Sequence, residues 1–176
     1  MASINAPSPQ IHIDEIDAAS SESTLAQARE LLIEYGRFVL AQPGAGRFCF
    51  GTLEKEAEQL PLSYIAQGGG SLIAYAEDTP AGFVAWRALP TSVAQSACEL
   101  KRLWVRPVSR GLSLGRILTL AAMDRARAAG YKAMFLDTAP ASIGNAHKLY
   151  LELGFEPCAV YNDNPVEGLA YLSKKL

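Results

Sequence analysis

An α/β architecture, a mixed sheet with helices on both faces, is the fold class this 176-residue sequence predicts. Three observations carry it. The segments read in the order β-α-α-β-β-β-α-β-α-β-β, which mixes a hairpin with strand–helix–strand crossings. Residues 132–138 (KAMFLDT) form a short, almost wholly apolar run, as in a strand covered on both faces. Residues 24–40 and about 115–129 carry apolar side chains at helical spacing. At 49% hydrophobic composition the chain can bury one substantial core, and no repeat or linker divides it. Residues 11–176 therefore read as one domain behind a loose, proline-bearing tail, residues 1–10.

Each element has its own signal. Ile11-His12-Ile13 reads as a short strand. Leu25, Ala28, Leu31, Leu32, Tyr35 and Val39 share one stripe of a helix capped by Ser23 or Thr24 and ended at Pro43-Gly44. Leu53–Leu60 is a short charged helix stopped by Pro61. Gly68-Gly69-Gly70 leads into a strand at 71–76, and Asp78-Thr79-Pro80-Ala81-Gly82 is turn chemistry before a returning strand at 83–89. A further strand, 98–105, stops at Pro107. The helix at 115–129 ends at Gly130, which suits a left-handed cap. Ile143–Leu153 is helical, with Ile143, Ala146, Leu149 and Tyr150 on one stripe, Gly154 past its end and Phe155 as the apolar contact beyond. Late strands follow at about 156–161 and 169–174.

Composition removes several function classes. Net charge is −2 with dispersed basic residues, which leaves no footprint for nucleic acid. No apolar run approaches the roughly 20 residues that span a bilayer, and the N-terminus has no basic-then-apolar signal pattern. Cys49, Cys98 and Cys158 make an odd count without paired spacing, which suits a reducing, cytoplasmic setting. His12 and His147 have no second ligand at metal spacing, so no metal site is expected.

Arg110-Gly111-Leu112-Ser113-Leu114-Gly115-Arg116 is the stretch richest in chemistry. A glycine-punctuated turn feeding a helix leaves backbone N–H groups without intrahelical partners at the positive end of the helix dipole, a ready phosphate site. Arg110 and Arg116 add cationic donors. A plain strand-to-helix turn fits the same residues. Two rival phosphate motifs fail on spacing: a P-loop needs four residues between its glycines and a following lysine, and Gly-x-Gly-x-x-Gly is absent. Asp137 alone stands about where a ribose-binding acid would.

Together with Leu149-Tyr150-Leu151-Glu152-Leu153-Gly154-Phe155, this loop, its helix and the apolar strand resemble the GNAT superfamily of N-acetyltransferases. The resemblance covers residues 71–176, with residues 24–60 fitting the family's variable N-terminal portion. Cys98–Val105 and Tyr161-Asn162-Asp163-Asn164-Pro165 look like one branch of small bacterial members. The resemblance implies a mostly antiparallel central sheet and acetyl-CoA as co-substrate. The family's loop, Arg/Gln-x-x-Gly-x-Gly/Ala, binds the coenzyme pyrophosphate through its amides. Here Arg110 and Gly115 match its ends, while Ser113 replaces the first glycine and brings a Cβ to that position. The implied coenzyme residues are the loop from Arg110 to Arg116 (Gly111, Leu112, Ser113, Leu114 and Gly115 included), the backbone of Leu103, Trp104 and Val105, which would pair with the pantetheine arm, and Asn145 and Lys148. Asn145 falls two positions after the family's usual asparagine, whose place Ile143 takes.

Acetyl transfer from a thioester to an amine needs a base, an oxyanion donor and an acid for the leaving thiolate. The resemblance puts Tyr150 near the coenzyme sulfur, and a phenol of pKa ~10 suits the acid's role; a core aromatic satisfied by backbone is the structural alternative. Glu99 is the candidate base, its pKa raised by desolvation, unless it is ion-paired with Lys101. Cys98 reads as a small buried residue. The acceptor, a small-molecule or peptide amine, is expected opposite the coenzyme near Arg37, Phe50, Tyr161 and Asn164. Monomer and homodimer both remain open. The competing reading is an acyl-CoA-binding sensor or degenerate family member without turnover, favoured by Ser113.

Overall fold

Alternation along two strands splits the core into two layers. In β2 (Gly70–Ala76) Leu72 and Ala74 point to one side, while Ile73 and Tyr75 point to the other. In β3 (Thr79–Ala88) Val84 and Trp86 join the first side, Phe83 and Ala85 the second. A computed structural model describes residues 9–43, 50–141 and 143–176. Most of the expected tail, Gly44 and Cys49 lie outside the described residues.

The second layer is built by α1 (Glu22–Leu40), α2 (Phe50–Glu58) and a short α3 (Leu62–Ile65) that the sequence does not announce. Leu31, Leu32, Leu53 and Tyr64 fill it. The cap of α1 is Ser21, not Ser23 or Thr24: its backbone is extended (φ −64°, ψ 154°) and its Oγ accepts from the Thr24 N–H at 3.1 Å. Gly36 lets α2 approach, because a Cβ there would meet the Phe50 ring at 2.6 Å.

The first layer is α4 (Leu114–Ala128), which lays Leu114, Leu118, Ala122 and Ala126 on the sheet. Gly130, at φ +93°, follows its end as expected. α5 (Gly144–Glu152) ends in a complete Schellman motif: Gly154 has φ +81°, its N–H bonds the Leu151 carbonyl at 3.0 Å, and the Phe155 N–H bonds the Tyr150 carbonyl at 3.0 Å.

The sheet is mixed and mostly antiparallel. It contains β1 (Ile11–Glu15), β2, β3, β4 (Ala97–Val105), β5 (Ala133–Thr138), β7 (Ala170–Lys175) and β6 (Glu156–Pro157), in that spatial order. Three features of the sheet differ from those the sequence predicts. The β2–β3 turn is the tighter Glu77-Asp78, with Glu77 at φ 53°, and Pro80 pairs within the ladder beside an irregularity at Ala74/Tyr75. β6 is only two residues long: after one further bond, from the Cys158 N–H to the Tyr171 carbonyl at 2.9 Å, the chain leaves the sheet until β7. β5 is not covered equally on its two faces: Met134, Leu136 and Thr138 are buried, while Ala133, Phe135 and Asp137 are half-buried.

Two irregularities in β4 position the site. Its parallel pairing with β5 covers Ala97, Cys98 and Glu99 only, after which the strands part. Against β3, Phe83 pairs with Trp104 but Ala85 with Lys101, so β4 holds one extra residue; Arg102, at φ 60°, marks the bulge. That residue inverts the facing of the strand. Cys98 and Leu100 belong to the first layer, whereas Trp104 belongs to the second. Among the described residues no helix is long and apolar enough to cross a membrane.

Candidate active site

Beyond the bulge, β4 runs into a 3₁₀ turn (Pro107–Ser109) and then the loop ahead of α4. Gly111 has φ +89°, and Ser113 sits at φ 58°, ψ 17°. Serine here adopts the left-handed conformation that glycine takes without strain, at about 1–2 kcal/mol for an L-residue. Its hydroxyl caps nothing in the helix. The first bond of α4 runs from the Ile117 N–H to the Ser113 carbonyl at 3.0 Å, so the amides of Leu114, Gly115 and Arg116 have no partner within the helix.

These residues line a cleft of about 670 Å³, a size suited to a large cofactor or co-substrate. Leu103, Trp104, Val105, Arg110, Gly111, Ser113, Leu114, Gly115, Arg116 and Asn145 are all on its wall. Leu112 turns its side chain into the core and contributes only backbone to the loop. Lys148 is not on the wall: it is 79% exposed and lies 4.0 Å from Glu152. The Arg110 guanidinium lies over the Trp104 and Phe38 rings, at 5.8 and 6.0 Å from their centroids. Arg116 bonds Glu152 of α5 at 2.8 Å, and a Cβ at Gly115 would stand 3.2 Å from Leu149. The two helices thus close one end of the cleft.

A second, smaller cavity of about 100 Å³ adjoins it, and Tyr35, Leu103, Ile143 and Ala146 line both. Tyr150 belongs to the smaller one. Its ring packs edge-on against Phe155, and burial raises its pKa above the usual phenol range. The hydroxyl has no protein partner among the described residues, yet it is not sealed from solvent. Tyr150 is thus a core aromatic of the first layer, as the structural alternative has it, but no backbone group among the described residues satisfies its hydroxyl.

At Glu99 the ion-paired alternative is the one observed. It is 1% exposed and lines neither cavity. Its Oε2 accepts from Arg87 at 3.0 Å and lies 3.4 Å from the Lys101 Nζ. Its Oε1 accepts from the Tyr161 hydroxyl at 3.0 Å and Asn162 Nδ2 at 3.1 Å. Burial pushes its pKa up, but Lys101 and Arg87 with these hydrogen bonds outweigh that and hold it below the usual carboxylate value. A carboxylate so engaged is a poor base.

The expected acceptor residues scatter. Asn164 lines the small cavity. Tyr161 lies under it, bonded to Glu99 and packed edge-on against Phe135 and Tyr171. Arg37 is exposed on α1, and Phe50 packs on Gly36; neither lines a cavity. Cys98 is buried, and desolvation pushes its thiol up to about 12, against any nucleophilic role. Asp137, Lys101 and Arg102, which the sequence does not assign to the acetyl-transfer site, stand on the small cavity's wall. The one available signal is an acid near the end of an otherwise apolar strand.

A family model described as the acetyltransferase (GNAT) family matches residues 30–155. The chain belongs to the GNAT family. Among curated relatives, an uncharacterized N-acetyltransferase of Schizosaccharomyces pombe is 40% identical over 75 residues, which is 43% of this chain and 45% of that protein. The uncharacterized N-acetyltransferase YjgM of Escherichia coli is 42% identical over 59 residues, 34% of this chain and 35% of its own length. The chain thus aligns with less than half the length of each. Solved structures agree on the GNAT fold over nearly the full length. An acetyltransferase from Streptococcus agalactiae superposes with a TM-score of 0.73 at 21% identity, covering 94% of this chain and 98% of that one. The PaiA N-acetyltransferase of Thermoplasma acidophilum, solved in complex with coenzyme A, gives 0.66 at 20% identity over 95% and 99%.

Proposed function

We propose that this chain is an acetyl-CoA-dependent N-acetyltransferase that moves an acetyl group to a primary amine by direct transfer within a ternary complex. The observation that carries the reading is the junction of two cavities, one walled by unpartnered loop amides and the other holding an open phenol. The coenzyme A complex of the Thermoplasma protein supports the choice of co-substrate.

In this reading the amides of Leu114, Gly115 and Arg116 hold the coenzyme pyrophosphate at the helix N-terminus, with Arg110 and Arg116 on the wall beside it. The backbone of Leu103–Val105, unpaired on its β5 side, receives the pantetheine arm as an added strand, and one of its amides donates to the thioester oxygen. Tyr150 keeps its proton because burial raises its pKa, and delivers it to the thiolate as that charge develops. Ser113 adopts the left-handed conformation a glycine would take, which supports a working loop over a non-catalytic sensor. The described free thiols, Cys98 and Cys158, support a cytoplasmic setting.

Tyr150→Phe tests this directly. Thiol release from acetyl-CoA over a panel of amines should fall about 10²–10⁴-fold, while calorimetry shows coenzyme affinity nearly unchanged. Undiminished turnover would remove Tyr150 from the mechanism. Binding of acetyl-CoA by the wild-type chain without acetylation of any amine would instead favour the sensor.

A further inference from the structure

The small cavity holds a carboxylate that is half engaged. Asp137 stands two residues past Phe135, the last residue of β5 paired with β4. Its Oδ2 accepts from Asn162 Nδ2 at 2.8 Å and from Asn164 Nδ2 at 3.2 Å. Backbone contacts pin both amides in that orientation. The Asn164 N–H bonds Asn162 Oδ1 at 3.2 Å, and the Val166 N–H bonds Asn164 Oδ1 at 3.1 Å, so each nitrogen must point the other way. Oδ1 of Asp137 has no protein partner among the described residues and is not sealed from solvent. Among the described residues no cation forms an ion pair with Asp137; Lys101 acts on it through space but is paired with Glu99.

Its neighbours are already matched. Arg87 and Lys101 lie against Glu99, and Arg102 against Glu56 in a two-point pair at 2.9 Å. Asp137 is therefore, among the described residues, an acid with no ion-paired cation on the wall of a cavity it shares with Tyr150. The rest of the wall includes apolar Val39, Leu100, Val166 and Leu169, and a volume of about 100 Å³ admits only a slim group.

We propose that Asp137, through Oδ1, receives the amine of the acceptor and accepts its proton during transfer, and that the acceptor is an unhindered primary alkylamine. This rests on the acetyltransferase reading above. The neutral amine attacks the thioester carbonyl, a C–N bond forms, and the nitrogen becomes positive and acidic. One of its two protons passes to Asp137 Oδ1, and the other stays on the amide. The C–S bond breaks, its electron pair leaves on sulfur, and Tyr150 protonates that thiolate. Asp137 and Tyr150 then exchange the proton through solvent, returning both to their starting states. Glu99 takes no part except to position Asn162, whose Nδ2 it shares with Asp137.

Crystals of the wild-type protein with coenzyme A, soaked in n-butylammonium chloride, test the assignment without knowledge of the natural acceptor. The nitrogen should lie within about 3.2 Å of Asp137 Oδ1. In parallel, Asp137→Asn should lower kcat/KM for n-butylamine by about 100-fold or more, with coenzyme A affinity by calorimetry and Tm close to wild type. Nitrogen density elsewhere, a cavity that takes up no amine, or wild-type turnover in Asp137→Asn would overturn the proposal. If the variant fails to fold, the wild-type soak still decides. Failure to bind coenzyme A overturns the acetyltransferase reading instead, and a soak of the protein alone still reads Asp137.

Discussion

The large cleft and the small cavity adjoin, yet they are made of different material. The cleft rests on main chain: two left-handed residues, three helix-start amides and the unpaired edge of β4. The small cavity rests on side chains from α1, β4, β5, α5 and the segment after β6. Two residues of its wall, Lys101 and Arg102, belong to ion pairs that run behind it, Lys101 with Glu99 and Arg87 beside the Tyr161 and Asn162 contacts, and Arg102 with Glu56. A backbone site tolerates changes of side chain but not of φ. A side-chain site depends on every charge having its partner.

Three substitutions sharpen that contrast. Glu56→Ala should have the largest effect. It strips the carboxylate that holds Arg102 at two points and also accepts from the Tyr64 hydroxyl at 2.8 Å. Breaking such a buried pair costs about 3–5 kcal/mol, measurable by denaturant unfolding, and should disturb the small cavity through the bulge. A loss near zero would mean that something else holds the bulge. Gly111→Val comes next. A Cβ there meets nothing, so its effect is purely that of φ +89° on an L-residue, about 1–2 kcal/mol. Coenzyme affinity should weaken by about tenfold in calorimetry, and an unchanged affinity would show that the cleft does not depend on the loop's backbone. Ser113→Gly should act in the opposite sense and least. It relieves left-handed strain but adds freedom to the unfolded chain, leaving a gain of up to about 1 kcal/mol in thermal unfolding.

The same contrast explains what could be read from the residues in order. Gly111, Gly115, Tyr150, Gly154 and Phe155 act within a turn or two of their neighbours, so their spacing carried the loop, the helix end and the family. The pairing of Tyr161 with Glu99, and of Asn162 and Asn164 with Asp137, joins residues 25 to 62 positions apart. No local pattern encodes such contacts. Glu99 reads as a base because its strand neighbours are apolar, but Arg87 arrives beside it only through the β3–β4 register. Lys148 reads as a coenzyme contact because α5 bears other cleft residues, yet it lies on the helix's solvent side.

What the sequence alone determined was the set of elements, their order and the backbone conformations that glycine and proline allow, because those follow from short-range sterics and hydrophobic period. The tertiary structure decided which acid is open. One extra residue at Arg102 inverts the facing of β4, and the early parting of β4 from β5 opens the space between them. Both depend on strand register, which is settled by packing across the sheet and not by neighbours along the chain.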